Sequence, residues 1–326
     1  MAHWRDCQRP AAAVGFAILL CSASWSAGEA DLSRAGLLRA RYVEMQERLQ
    51  RSAFQRPIEL SSTETSGEAT AEVHALVEFP FSSVSDALSR PEDWCDILTL
   101  HLNVKYCRAS PSVGGSRLDV AIGKKREQPL ADAYWLDFAY RIADRSPRYL
   151  RVVLRADEGP FATRDYRVVL EAVEVSREQT FLHLSYSDAF SSLGAFAMKA
   201  YLGTIARDRV GFTVVGTGAD GEPRLVDGMR GAVERNTMRY YLAIESFLGA
   251  LSTPPQKRFE KRLHDWYAAI ERYPRQLHEM DETEYLAMKR NERSRQDRVA
   301  GDVARARARH ESVPRAAETS PSSATE

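Results

Sequence analysis

Cysteine is scarce in this chain. Its 326 residues include four, and two of these, Cys7 and Cys21, lie near the start. That excludes a disulfide-dense scaffold and a multi-cysteine metal centre. Cys95 and Cys107 remain for the body of the chain. If the chain is exported they can pair, which would tie a short helix to the strand after it; otherwise they are two buried thiols behaving as small apolar side chains.

Charge of one sign is also lacking. Forty-five Lys and Arg balance forty-five Asp and Glu, so no global field pulls the chain toward nucleic acid. Beyond the N-terminal segment no apolar run is long enough for a membrane span. Metal-ligand spacings are missing, with no H-x-x-x-H and no C-x-x-C. His278-Glu279 has no second histidine four residues on. There is no G-x-S-x-G elbow, Walker loop or EF-hand loop. Gly216 to Gly221 fits G-x-G-x-x-G, but Glu222-Pro223-Arg224 follows where a helix would have to open, so a turn is expected. No metal, no cofactor and no catalytic residue is expected.

What is present begins with a leader. Arg5 and Arg9 precede an apolar stretch, Ala11 to Leu20, and small residues follow at Ala23, Ala27 and Ala30. This predicts a signal peptide over 1–27 and a periplasmic or secreted chain. A helix and strand are expected over 31–65. Strand-like alternation then runs from Val73 to Val215. Two short helices interrupt it early, the second opened by Pro91. Ser191 to Ile205 has helical spacing and reads as an insert before a last strand at Val210, Phe212 and Val214. A long amphipathic helix, Met229 to Leu251, ends the domain 66–251. Beyond Pro254-Pro255, a helical extension (254–310) carries Phe259, Leu263, Trp266, Ile270 and Tyr273 on one face. The basic run after Lys289 reads as a solvated helix or tail, and 311–326 as disordered.

Short spacing between strands implies one antiparallel sheet. The fold class is therefore α+β, a curved antiparallel sheet around a long C-terminal helix. Phe79-Pro80-Phe81-Ser82-Ser83-Val84, Pro91-Glu92-Asp93-Trp94, Pro160 with Arg164-Asp165-Tyr166, and Gly231 to Leu242 carry a resemblance. In that order of elements the chain resembles the StAR-related lipid transfer (START), or SRPBCC helix-grip, superfamily.

The resemblance implies a cavity between sheet and helix for a lipid or other apolar small molecule. Alternation assigns Tyr134, Leu136, Phe138, Tyr140, Val152, Tyr166, Val168 and Tyr186 to the concave face. These rings either fill the core or line an open site; alternation leaves both open. Phe196 and Tyr201 of the insert are expected to touch the ligand as parts of a lid, and Arg239 and Tyr240 to meet it from the long helix. His183, Asp188 and Asp165 could form an acid/base set, although alternation puts His183 on the outer face. The expected function is carriage of a lipid-like ligand. The alternatives are a cyclase- or hydrolase-type enzyme in the same cavity, or an envelope module that binds a protein partner through 256–290.

Overall fold

The computed structural model describes residues 25–160, 163–190 and 209–311. Helix α1 (Trp25–Gln50) leads into a hairpin of β1 (Ile58–Glu64) and β2 (Glu68–Val77). Two short helices follow, α2 (Phe81–Leu88) and α3 (Pro91–Leu98). Six strands then run as a meander: β3 (Val104–Ser112), β4 (Gly115–Ile122), β5 (Tyr134–Ser146), β6 (Tyr149–Glu158), β7 (Thr163–Glu174) and β8 (Thr180–Phe190). β8 closes on β2, so the eight-stranded antiparallel sheet has the order β1-β2-β8-β7-β6-β5-β4-β3. After a small hairpin, β9 (Val214–Thr217) and β10 (Pro223–Leu225), the long helix α4 (Gly228–Gly249) crosses β1, β2 and β8. The extension is α5 (Pro255–Ile270), α6 (Pro274–Leu277) and α7 (Glu282–Glu311). This is the helix-grip arrangement. No described helix is long and apolar enough to cross a membrane.

Residue size explains where α4 sits. On β2 the inward positions are Ala69, Ala71, Val73 and Ala75, all fully buried. Their short side chains let a helix backbone come close. The convex face is covered too. Leu38, Met45 and Leu49 of α1 form a second buried cluster with Tyr149, Val173 and Phe181. Cys95 of α3 and Cys107 of β3 are joined as a disulfide.

Two readings need correction. Val210 and Phe212 do not form a last strand of the main sheet. The buried Glu234 carboxylate accepts the backbone N–H groups of Phe212 and Thr213, at 2.5 and 3.0 Å. It also accepts the Thr213 hydroxyl at 2.6 Å. Donors that a strand would give to a neighbour are thus spent on α4. Gly211 allows this approach, since a Cβ there would lie 2.4 Å from the Glu234 carboxylate.

The start of the basic run is not solvated. Lys289 is buried, and its ammonium donates to the carbonyls of His101 and Val104, at 2.7 and 2.9 Å, and to Glu292 at 2.8 Å. Lys105 donates to the other Glu292 oxygen at 3.0 Å. A carboxylate and several carbonyls replace the water these two charges lose. The helical face of the extension is docked: Leu263, Trp266 and Ile270 are buried, and the Trp266 indole donates to the Arg239 carbonyl at 3.1 Å.

Candidate functional site

The concave face carries one group of polar side chains that the core does not need. It is organised by a bulge. In the β7–β8 ladder Arg164 pairs with Ala189 and Arg167 with Ser187, so Asp165 and Tyr166 together oppose Asp188. Asp165 has φ of 53°, a left-handed conformation that Asp tolerates better than most residues. The extra residue lets Thr163 and Tyr166, three apart, both turn inward while Arg164 and Asp165 face solvent. Gly159 completes the arrangement, because a Cβ there would lie 2.1 Å from the Tyr166 ring. The Tyr166 hydroxyl lies 2.7 Å from Thr163 Oγ1.

From this bulge a line of rings crosses the interior. Tyr166 and Tyr186 have centroids 6.3 Å apart, Tyr186 and Tyr240 of α4 5.7 Å, and Tyr240 and His101 5.0 Å. Asp188 lies on the same face of β8 as Tyr186, buried, and its Oδ1 has no hydrogen-bond partner among the described residues. His101 Nε2 is also buried without a partner among the described residues. Buried polar atoms are nearly always satisfied, so two such atoms beside one line of rings mark a site for a polar group.

Burial dominates the electrostatics. It pushes the Asp188 carboxyl up to about 7. It pushes Tyr240 up to about 12, where nearby Arg239 opposes the rise and Asp188 adds to it. Burial and then the Asp188 charge raise Tyr166 and Tyr186. Burial, and then Arg239 and Lys125, hold His101 well below its ordinary value. Near neutrality the site therefore offers phenol donors, a neutral imidazole and a carboxyl in both protonation states.

A second polar cluster adjoins it. Arg239 is buried, and its guanidinium donates to Glu279 at 2.8 Å and to the Leu277 carbonyl at 3.3 Å. Arg209 reaches Glu279 at 3.1 Å, and Lys125 also pairs with it. Burial would raise the Glu279 carboxyl, but Arg239, Lys125 and Arg209 outweigh it and hold the pKa below the ordinary value. The link between α6 and α7 is thereby pinned to α4.

The structure gathers Leu136, Phe138, Tyr140, Val152, Tyr166, Val168 and Tyr186 into one buried cluster with residues of α4. Tyr140 has a structural partner: its hydroxyl donates to the Leu88 carbonyl at 3.2 Å. Tyr134 is 41% exposed at the start of β5. Arg239, expected to meet the ligand, is instead paired with Glu279 of the extension, and Asp165 sits exposed beside Arg164. Phe196 and Tyr201 lie outside the described residues. The acid/base set does not assemble. His183 is on the convex face against Glu171, while Asp188 is on the concave face. Alternation gives Asp188 the face of Tyr186 but not its surroundings, and His101, on the link from α3 to β3, carries no sequence signal. A groove of about 740 Å³ on the outer face is lined by ion-paired residues such as Arg108, Arg117 and Asp119, and does not suit an apolar ligand.

No family model matches the chain, and no curated protein matches it. Among solved structures it is similar to norcoclaurine synthase from Thalictrum flavum, at 14% identity and a TM-score of 0.32, over 44% of this chain and 91% of that one. A conserved protein from Geobacillus kaustophilus gives 13% and 0.28, over 42% and 85%. A solution structure from Thermobifida fusca gives 17% and 0.31, over 56% and 95%. Likeness at this level does not extend to chemistry.

Proposed function

We propose that the chain binds and carries an apolar, lipid-like molecule between the sheet and α4, with the ligand's polar end at Asp188, Tyr186, Tyr240 and His101. The observation that carries this reading is the Asp188 oxygen, buried on the concave face beside Tyr186 and unpartnered among the described residues. A ligand donor there would remove a desolvation cost of roughly 1–3 kcal/mol. Each methylene buried on Phe138, Val152 and Val168 would add about 0.8 kcal/mol, so affinity requires no covalent step.

Export belongs to the same proposal, since a carrier is useful where a lipid must cross water. N-terminal sequencing of the mature protein tests that part. A start beyond Ala23 supports it, and Met1 recovered from an envelope fraction contradicts it. Native mass spectrometry of the purified chain tests the carrier reading. A discrete bound lipid is expected, and a bare polypeptide mass that added lipid does not shift would oppose it.

One observation favours a second reading. A buried carboxyl poised near pH 7 beside phenols suits proton transfer, as an enzyme acting between sheet and helix would need. A ligand recovered chemically unchanged after incubation decides for carriage, and an altered one for catalysis.

A further inference from the structure

The convex face holds a cluster that ligand carriage does not use. His74 on β2 and His183 on β8 are direct cross-strand partners. Their rings lie parallel, 9° apart in plane, with centroids separated by 4.4 Å. Glu72 precedes His74 by two residues and so shares its face. One donor atom from each of the three side chains lies within 4.8 Å of the others. We propose that Glu72, His74 and His183 bind a divalent transition-metal ion of the zinc class.

Four features support the assignment. The first is donor chemistry. Two imidazoles and one carboxylate suit a borderline ion such as Zn²⁺ and not Mg²⁺ or Ca²⁺, which take oxygen ligands. The second is the orientation of His183. Its Nδ1 lies 3.0 Å from Glu171 Oε2, while its buried Nε2 faces the Glu72 carboxylate at 3.6 Å. A carboxylate on the far nitrogen is how proteins orient a metal-binding histidine. Glu171 is itself held, accepting from the Tyr149 hydroxyl at 2.5 Å with Arg151 at 3.5 Å.

The third is reach. Bonds of about 2.0–2.1 Å to nitrogen and oxygen put tetrahedral ligand atoms roughly 3.3–3.5 Å apart, so the cluster closes by about 1 Å of side-chain rotation. The fourth is shelter. Phe181 stacks on His74 at 5.8 Å, and Tyr42 of α1 packs on Phe181 at 5.2 Å, so one side of the site is apolar and partly shielded from water. No spacing motif shows this set, because the two histidines lie on β2 and β8, far apart in sequence, and meet only when β8 closes on β2.

The test is titration of the chelator-treated protein with ZnCl₂ in competition with a chromophoric chelator. Wild type should take up zinc at micromolar affinity or tighter. His74→Gln and His183→Gln should each weaken uptake about tenfold or more. His264→Gln and His278→Gln, which alter histidines paired with Glu282 and Glu271 elsewhere, should leave it unchanged. A thermal melt of wild type with and without zinc needs no variant and should show a higher midpoint with the ion. Absence of uptake by folded wild type overturns the site. So does uptake that survives either histidine substitution within tenfold.

Discussion

The ring of Tyr240 on α4 stands 5.7 Å from the ring of Tyr186 on β8. Helix and sheet therefore meet through two phenols, close to Asp188. This contact joins the part of the molecule that the hydrophobic pattern builds to the part it does not explain.

Asp188 should make stability depend on pH with a definite sign. Its carboxyl is raised by burial to about 7 in the fold, against about 3.9 when unfolded. Its favourable contribution is full below pH 4 and is lost as pH rises through 7. Asp188→Asn should therefore gain stability on wild type between pH 4 and 7 and hold a constant advantage above, on the order of 4 kcal/mol at most. Urea unfolding of both proteins from pH 4 to 8 checks this, and parallel curves would refute it.

Glu279 pins the extension. Glu279→Ala leaves the buried Arg239 without its anion, and breaking such a pair costs about 3 kcal/mol or more. The chain following α5 should then be cut faster in limited proteolysis, and the unfolding midpoint should fall. Because the Glu279 pKa is depressed, its contribution in wild type is present above about pH 4.3 and is lost as pH falls through the folded value.

Reduction should loosen the start of the meander. The Cys95–Cys107 bond closes a short loop, and a loop of this size contributes about 3 kcal/mol in the chain-entropy account. Thermal melts with and without reductant should differ by several degrees. The double substitution Cys95→Ala, Cys107→Ala should melt like the reduced wild type.

Gly159→Ala should act on the site more than on the fold. A Cβ there strikes the Tyr166 ring, which must leave its place beside Thr163 and Asp188. Ligand affinity should drop several-fold with a change in stability of about 1–3 kcal/mol, as in other overpacked sites. Titration with a fluorescent fatty-acid analogue measures the first, and urea unfolding the second.

The sheet was legible because its period-two pattern is strong. Leu136, Phe138 and Tyr140 alternate with exposed Trp135, Asp137 and Ala139, and the docking face of α5 shows in Leu263, Trp266 and Ile270. The site was legible only as a face. The bulge at Asp165 depends on how β7 and β8 register, which alternation cannot express. The 210–213 segment looked like a strand because its apolar residues alternate, but a buried carboxylate on α4 took its amides. Lys289 looked solvated because composition does not reveal that Glu292 and two carbonyls await it. His74 and His183 meet through strand closure, a long-range event with no local signature.

Filling the concave face tests most directly whether it admits an apolar ligand. Phe138→Trp and Val168→Trp add bulk at buried positions of β5 and β7. A fluorescent fatty-acid analogue should saturate wild type and bind both variants about tenfold or more weakly, while their unfolding free energies fall by only about 1–3 kcal/mol. Equal binding by folded variants and wild type would contradict the account.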